Sequence, residues 1–358
     1  MKKKRRAIVP AVAVLALSGF LLTQSVGPSS GAEREFHTPF EAVTQKLSAL
    51  NESRASTSAP SAIIRGSEVT SDIYPFQVSL IAAAVPKGEE ANGHFCGGSL
   101  IAAIWVLTAA HCVTANREVV APGLIDVYAG STDFTDGDRI AVSAIIRHPD
   151  FVLDYFENDV ALLLLSREPE RRLRLAGRTG EVAVARPRDE ARMMKPGAQA
   201  TILGWGTTEQ TDFARKLHAA SVEIVDRAQC NRNIMQKRAR DLEAVLGDIA
   251  RSFRIEHRRL EDVQAAILRN AGPLVSEAMF CAGDPGAPAD MRAADACQGD
   301  SGGPILVGTS DGGFVQIGII SWGEGCGVPR LYGVYVRLAK YADWIAGVMR
   351  EPARAATP

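Results

Sequence analysis

The chain has 358 residues, 46% hydrophobic and 23% charged, with a net charge of −1. That length can bury a substantial core, and the near-neutral balance removes any electrostatic case for a nucleic-acid partner. Its 32 Gly and 18 Pro punctuate short apolar runs, which favours a turn-rich, all-β architecture over a parallel α/β sheet.

Residues 1–32 have the layout of a secretory signal peptide. Lys2 to Arg6 form a basic start, an apolar run extends from Ala7 to Leu22, and Ser30, Gly31 and Ala32 offer a cleavage site. A membrane anchor is the alternative, because the run is near the lower limit for a span; Pro10 and Gly19 within it favour cleavage. Residues 33–62 are polar and interrupted by Ser, Thr, Ala and Pro, and read as a propeptide or linker rather than packed structure.

From Ile63 the texture becomes strand-like. One series of short apolar runs covers 76–80, 99–101, 105–108, 125–128 and 160–165; a second covers 200–203, 221–225, 304–307, 314–321 and 333–336. Two such groups predict two β-barrels or a large sandwich. Residues 232–275 interrupt the second group. Leu242, Leu246, Ile249 and Phe253, then Leu260, Val263 and Ile267, recur at helical spacing and predict a helical insertion between Cys230 and Cys281. A C-terminal helix is predicted over 341–349, with 351–358 as a tail. The six cysteines suggest three disulfides in an oxidising compartment, with 15 pairings open. No two are close enough to form a Cys-x-x-Cys zinc half-site.

The chemistry concentrates in three segments. Residues 295–304 read Asp-Ala-Cys-Gln-Gly-Asp-Ser-Gly-Gly-Pro. A serine hydroxyl needs a base to become a nucleophile, and the attacked carbonyl needs fixed donors for its oxyanion. Glycines on both sides of Ser301 let its hydroxyl stand clear and let backbone N–H groups converge. His111 ends the apolar run Trp105-Val106-Leu107-Thr108-Ala109-Ala110, where a polar side chain is otherwise out of place. Asp159 leads directly into the apolar run 160–165, and a carboxylate entering a core calls for a partner such as an imidazole. The other histidines (His37, His94, His148, His218 and His257) read as structural or solvated.

These segments, in the order His, Asp, Ser, resemble the signature regions of the chymotrypsin/trypsin-like serine peptidases. The resemblance covers roughly residues 63–350 apart from the insertion. It implies two six-stranded antiparallel β-barrels with a C-terminal helix, and a Ser-His-Asp acyl-enzyme mechanism. Ser301 would be the nucleophile, His111 the general base, Asp159 its orienting partner, and the N–H groups of Gly299 and Ser301 the oxyanion hole. Ile63 would be the N-terminus released from a zymogen, its ammonium pairing with Asp300. Asp295 would stand at the base of the specificity pocket and call for Arg or Lys before the scissile bond, with Gly323 and Gly333 leaving the pocket open. Ser321, Trp322 and Gly323 would pair with the substrate backbone. Ala296 lacks a hydroxyl that helps hold a Lys ammonium in many relatives, so Arg is preferred over Lys. The resemblance also implies the disulfides Cys96–Cys112, Cys230–Cys281 and Cys297–Cys326. It implies no cofactor and no metal: residues 130–139 correspond to the family's calcium loop but lack its ring of Glu ligands, although Asp133, Asp136 and Asp138 leave an unrelated site open.

The sequence departs from the family at Ala62. An Arg-specific enzyme does not cut after Ala, so a separate activating protease is expected. The expected partners are protein or peptide substrates with Arg or Lys at the cleavage site. The expected location is outside the cytoplasm, extracellular or periplasmic, with the mature form not embedded in a membrane. Two competing readings are a binding protein on the same fold and a serine esterase. The intact triad argues against the first, and a pocket suited to a basic side chain argues against the second.

Overall fold

A computed structural model of the chain describes residues 38–41, 44, 63–69, 73–170, 180–206 and 214–351. The expected signal peptide, Ala62 and the tail from 352 onward lie outside these residues.

The five runs of the first series, joined by a strand over Asp138–Arg147 that was not among them, close into a six-stranded antiparallel barrel. Its strands are β1 (Gln77–Ala82), β2 (His94–Ala102), β3 (Trp105–Thr108), β4 (Ile125–Ala129), β5 (Asp138–Arg147) and β6 (Ala161–Leu165), in the order β1-β2-β3-β6-β5-β4. β1 and β3 are buried along their whole length, whereas β5 alternates between core and solvent over its first half. Val78, Leu80, Val106, Leu107, Val127, Ile140, Leu162 and Leu163 fill the interior, each contributing about 1.5–3 kcal/mol on burial.

The second series, with a strand over Met279–Gly283 added to its five runs, closes a second antiparallel barrel from β7 (Gln199–Gly204), β8 (His218–Val225), β9 (Met279–Gly283), β10 (Pro304–Gly308), β11 (Phe314–Trp322) and β12 (Gly333–Arg337). The strands run β8-β7-β10-β11-β12-β9 and return to β8. Counted from its own first strand, this barrel repeats the cyclic order of the first. Ile202, Val222, Ile224, Ile305, Ile317 and Tyr335 form its core. The barrels are stitched together by buried polar contacts: Ser99 Oγ donates to Gln316 Oε1 at 2.6 Å, and the Gly97 N–H donates to the Ser301 carbonyl at 2.8 Å.

The insertion forms two helices, α1 (Arg227–Phe253) and α2 (His257–Asn270). α1 begins five residues before the predicted boundary because Asp226 caps it, accepting a hydrogen bond from Gln229 N at 2.8 Å. It ends where Arg254 takes a left-handed conformation (φ 52°). Only Cys230 and Ile234 of α1 are buried; they belong to a small cluster with Val225, Tyr332 and Val334. The final helix, α3 (Ala342–Arg350), buries Ile345 and Val348.

Three disulfides link Cys96 to Cys112, Cys230 to Cys281 and Cys297 to Cys326, closing separations of 16, 51 and 29 residues. Loop closures of this size contribute ~3–4 kcal/mol each in the chain-entropy model. No helix among the described residues is long and apolar enough to cross a membrane.

Within 33–62, the described residues are packed, unlike the unpacked segment expected there. Phe40 is 6% exposed and meets Phe95 edge-on at 5.5 Å between ring centroids. Glu41 accepts backbone hydrogen bonds from Thr38 and Asn116, both at 2.7 Å. The polarity of the segment hides the aromatic anchor Phe40.

Candidate active site

The first barrel supplies His111 and Asp159. His111 lies in a 3-10 turn (Ala110–Val113) directly after β3, and the Cys96–Cys112 bond fastens that turn to β2. Asp159 precedes β6 and is fully buried. One of its carboxylate oxygens accepts from the His111 backbone N–H at 2.8 Å. The other lies 2.7 Å from His111 Nδ1 and accepts from Ser321 Oγ at 2.5 Å. Three donors thus offset the cost of burying this charge and fix the imidazole plane. Phe156 stacks edge-on against the ring at 5.3 Å. Next to Asp159, Asn158 is held by Tyr341, whose hydroxyl donates to its Oδ1 at 3.0 Å from the start of α3.

The second barrel supplies the serine loop between β9 and β10. Ser301 is half-buried at its start of the turn into β10. Cys112 Sγ lies 3.5 Å from the Ser301 carbonyl oxygen and 3.8 Å from His111 Nε2, so the nucleophile loop abuts the histidine turn. Gly299 has φ +95°, a conformation that a side chain would strain. It lies two residues before Ser301, where the oxyanion donors are expected.

Asp300 is fully buried and accepts from the N–H groups of Gly206 and Cys297, each at 2.8 Å. Burial pushes its carboxyl up to about 7, against the pull of those two donors. The Ile63 side chain is buried in the second barrel's core beside Ile305 and Ile320.

Asp295 is 4% exposed and accepts from Gly327 N at 3.0 Å and Ala296 N at 2.9 Å. Burial likewise raises it to about 7. A Cβ at Gly333 would lie 3.0 Å from the Asp295 carboxylate, and one at Gly323 would lie 3.9 Å from Gly333 Cα. A side chain at Gly333 would therefore crowd this carboxylate, and Gly323 lies beside Gly333. Trp322 packs with the cluster around Val225, Tyr332 and Val334. The Tyr335 hydroxyl, close to Gly333, is buried without a hydrogen-bond partner among the described residues.

One feature was not read from the sequence. Ser321, expected only as backbone for the substrate, also places its hydroxyl on Asp159. His94 takes the structural one of its two expected roles: it is fully buried, with Nδ1 2.7 Å from Ser79 Oγ. Burial drives it down to about 3, offset in part by a hydrogen bond with the Gly299 backbone.

Among the described residues, the only cluster with metal-donor spacing is Cys96, His111 and Cys112, and both sulfurs are engaged in their disulfide. In the 130–139 loop, Asp133 accepts from Thr135 N and Ser131 Oγ, and Asp136 also accepts from Ser131 Oγ. These carboxylates are thus engaged by the loop's own donors.

Two antiparallel barrels, with a His–Asp pair on one set against a serine loop on the other, define a serine hydrolase of the double-barrel class. The Trypsin family model matches residues 63–345. Trypsin Blo t 3 of Blomia tropicalis is 31% identical over 80% of this chain and 85% of its own length. Trypsin epsilon of Drosophila erecta is 30% identical over 81% and 88%, and a tryptase of Mus musculus 31% over 79% and 87%. The chain belongs to the trypsin family and is a serine endopeptidase.

Proposed function

We propose that this protein is a secreted endopeptidase that hydrolyses peptide bonds after Arg, and less well after Lys, and that it is made as a zymogen. The observation that supports the catalytic assignment is the three-donor clamp on buried Asp159, which engages the Nδ1 side of His111 and leaves Nε2 for proton transfer. Ser301 Oγ attacks the scissile carbonyl carbon while His111 Nε2 takes its proton. The resulting oxyanion accepts hydrogen bonds from Gly299 N and Ser301 N. The imidazolium, stabilised by Asp159, then protonates the leaving amine, and the C–N bond breaks to give an acyl-enzyme. Water, deprotonated by the same Nε2, attacks the acyl carbon, and the proton returns to Ser301 as the acid product leaves.

Specificity follows from Asp295. A buried carboxylate raised to about 7 is poorly stabilised by its surroundings, and a guanidinium supplies the missing charge through two parallel hydrogen bonds. Ala296 offers no hydroxyl to an ammonium, which favours Arg over Lys. The same logic applies to Asp300: a freed Ile63 ammonium would supply the counter-charge that its two backbone donors do not. Cleavage after Ala62 requires a protease of different specificity. The domain plan is a signal peptide (1–32), a propeptide (33–62) and a peptidase domain (63–350), with the product released outside the cytoplasm.

The test compares matched Arg, Lys, Phe and Ala peptide substrates on two purified forms, one beginning at Ile63 and one retaining residues 33–62. The expected result is strong Arg cleavage by the Ile63 form alone, and its loss by at least about 10³-fold in Ser301→Ala. Equal activity of both forms would reject the zymogen switch, and no cleavage by either would reject the catalytic assignment.

A further inference from the structure

The segment joining β11 to β12 reaches the Asp295 carboxylate. It begins at Gly323, ends at Gly333, and between them carries the Gly327 N–H that donates to Asp295. Its covalent anchor is the Cys297–Cys326 bond. Helix α1 grips this segment near both ends. Arg238 Nε donates to Glu324 Oε1 at 2.7 Å, and Lys237 Nζ lies 3.7 Å from Glu324 Oε2. Asn233 Nδ2 donates to the Arg330 carbonyl at 2.8 Å. Asn233 and Lys237 are four residues apart and so lie on one helical face. Glu324 is the residue after Gly323, and its side chain is only 10% exposed. Arg330 takes a left-handed conformation (φ 66°) three residues before Gly333.

The helix can brace this segment because its own base is fixed. Cys230 is bonded to Cys281 in β9, and Ile234 is buried against the cluster containing Tyr332 and Val334. The gripping residues lie within about one turn of Ile234.

We infer that the first helix of the insertion is a brace for the specificity pocket, with Asn233, Lys237 and Arg238 as positioning residues acting through Glu324 and Arg330. The inference rests on the reading of Asp295 as the base of that pocket. None of the three residues touches the reacting bond, so they act on recognition of the basic side chain and not on proton transfer. A loosened segment would weaken the Gly327–Asp295 contact and widen the Gly323–Gly333 separation.

The test uses the Ile63 form with a single-arginine amide substrate, and benzamidine as a pocket probe that needs no turnover. Arg238→Glu should raise KM and the benzamidine dissociation constant together, by about fivefold, and leave kcat within about twofold. Glu324→Arg should do the same, and the double exchange should restore both constants. Because Arg238 is exposed, its variant should unfold at the wild-type temperature, which separates a pocket effect from general destabilisation. Asn233→Ala reads the second contact independently. Unchanged KM and benzamidine affinity in Arg238→Glu and Asn233→Ala, beside an active Arg-cleaving wild type, would overturn the brace and leave the proposed function intact. A fall in kcat with KM unchanged would also overturn it. A wild type that neither cleaves nor binds benzamidine would overturn both.

Discussion

Asp159 and Asp295 are both buried carboxylates, and they are treated very differently by their surroundings. Asp159 has a histidine ring, a backbone N–H and a serine hydroxyl on it. Asp295 has two backbone N–H groups and is raised to about 7. A cationic ligand must therefore displace a proton from Asp295 at acidic pH. Benzamidine inhibition should weaken by about tenfold per pH unit well below 7 and level off above it; a flat profile between pH 5 and 8, measured by competition, would show that Asp295 is not the group being neutralised. Much of this chemistry was legible residue by residue, because the family's motifs keep Asp295, Gly299, Asp300 and Ser301 within one short stretch. The Ser321–Asp159 hydrogen bond was not, since it joins residues 162 positions apart and Ser321 carries no local mark that its hydroxyl points inward.

At the level of elements, five strands of each barrel and the helical insertion were visible in the hydrophobic pattern, and β5 and β9 were not. The pattern mattered less for the insertion than its position did. The apolar residues that predicted the helices include Ile249, Phe253, Val263 and Ile267, and all four are exposed. The residues that anchor α1 are Cys230 and Ile234, at its first turns, where the periodic reading had barely begun. Stability should follow the same division. Ile234→Ala should cost about 2–4 kcal/mol in denaturant unfolding, whereas Phe253→Ser, at a residue 75% exposed, should change it by less than about 0.5 kcal/mol. Equal costs would mean that the distal half of the hairpin is packed in solution. The contacts of Arg238 with Glu324, like those of Phe40 with Phe95, belong to the same class of tertiary pairing that periodicity does not register.

For the whole molecule, the two raised carboxylates make stability depend on pH in an unusual direction. In the uncleaved chain Asp295 and Asp300 hold protons more tightly than the unfolded chain does. Their contribution is therefore complete below about pH 4 and is lost as pH rises through about 7, by several kcal/mol in total. An ammonium freed at Ile63 would lower the Asp300 value and remove its share of that loss. Between pH 5 and 8, the unfolding temperature of the uncleaved form should thus fall more steeply than that of the Ile63 form. Parallel profiles by calorimetry would indicate that the new N-terminus does not reach Asp300.

The Cys230–Cys281 bond lies across the base of the helical hairpin, so everything between the two cysteines is a closed covalent ring. Arg240, Arg251, Arg254, Arg258, Arg259 and Arg269 stand exposed on that ring, within reach of any neighbouring molecule that cuts after arginine. A nick at one of them opens the ring without dividing the protein, which would still migrate as one species on a nonreducing gel and as two after reduction. The hairpin thus offers this enzyme several of its own proposed cleavage sites in a stretch where a single cut does not part the chain.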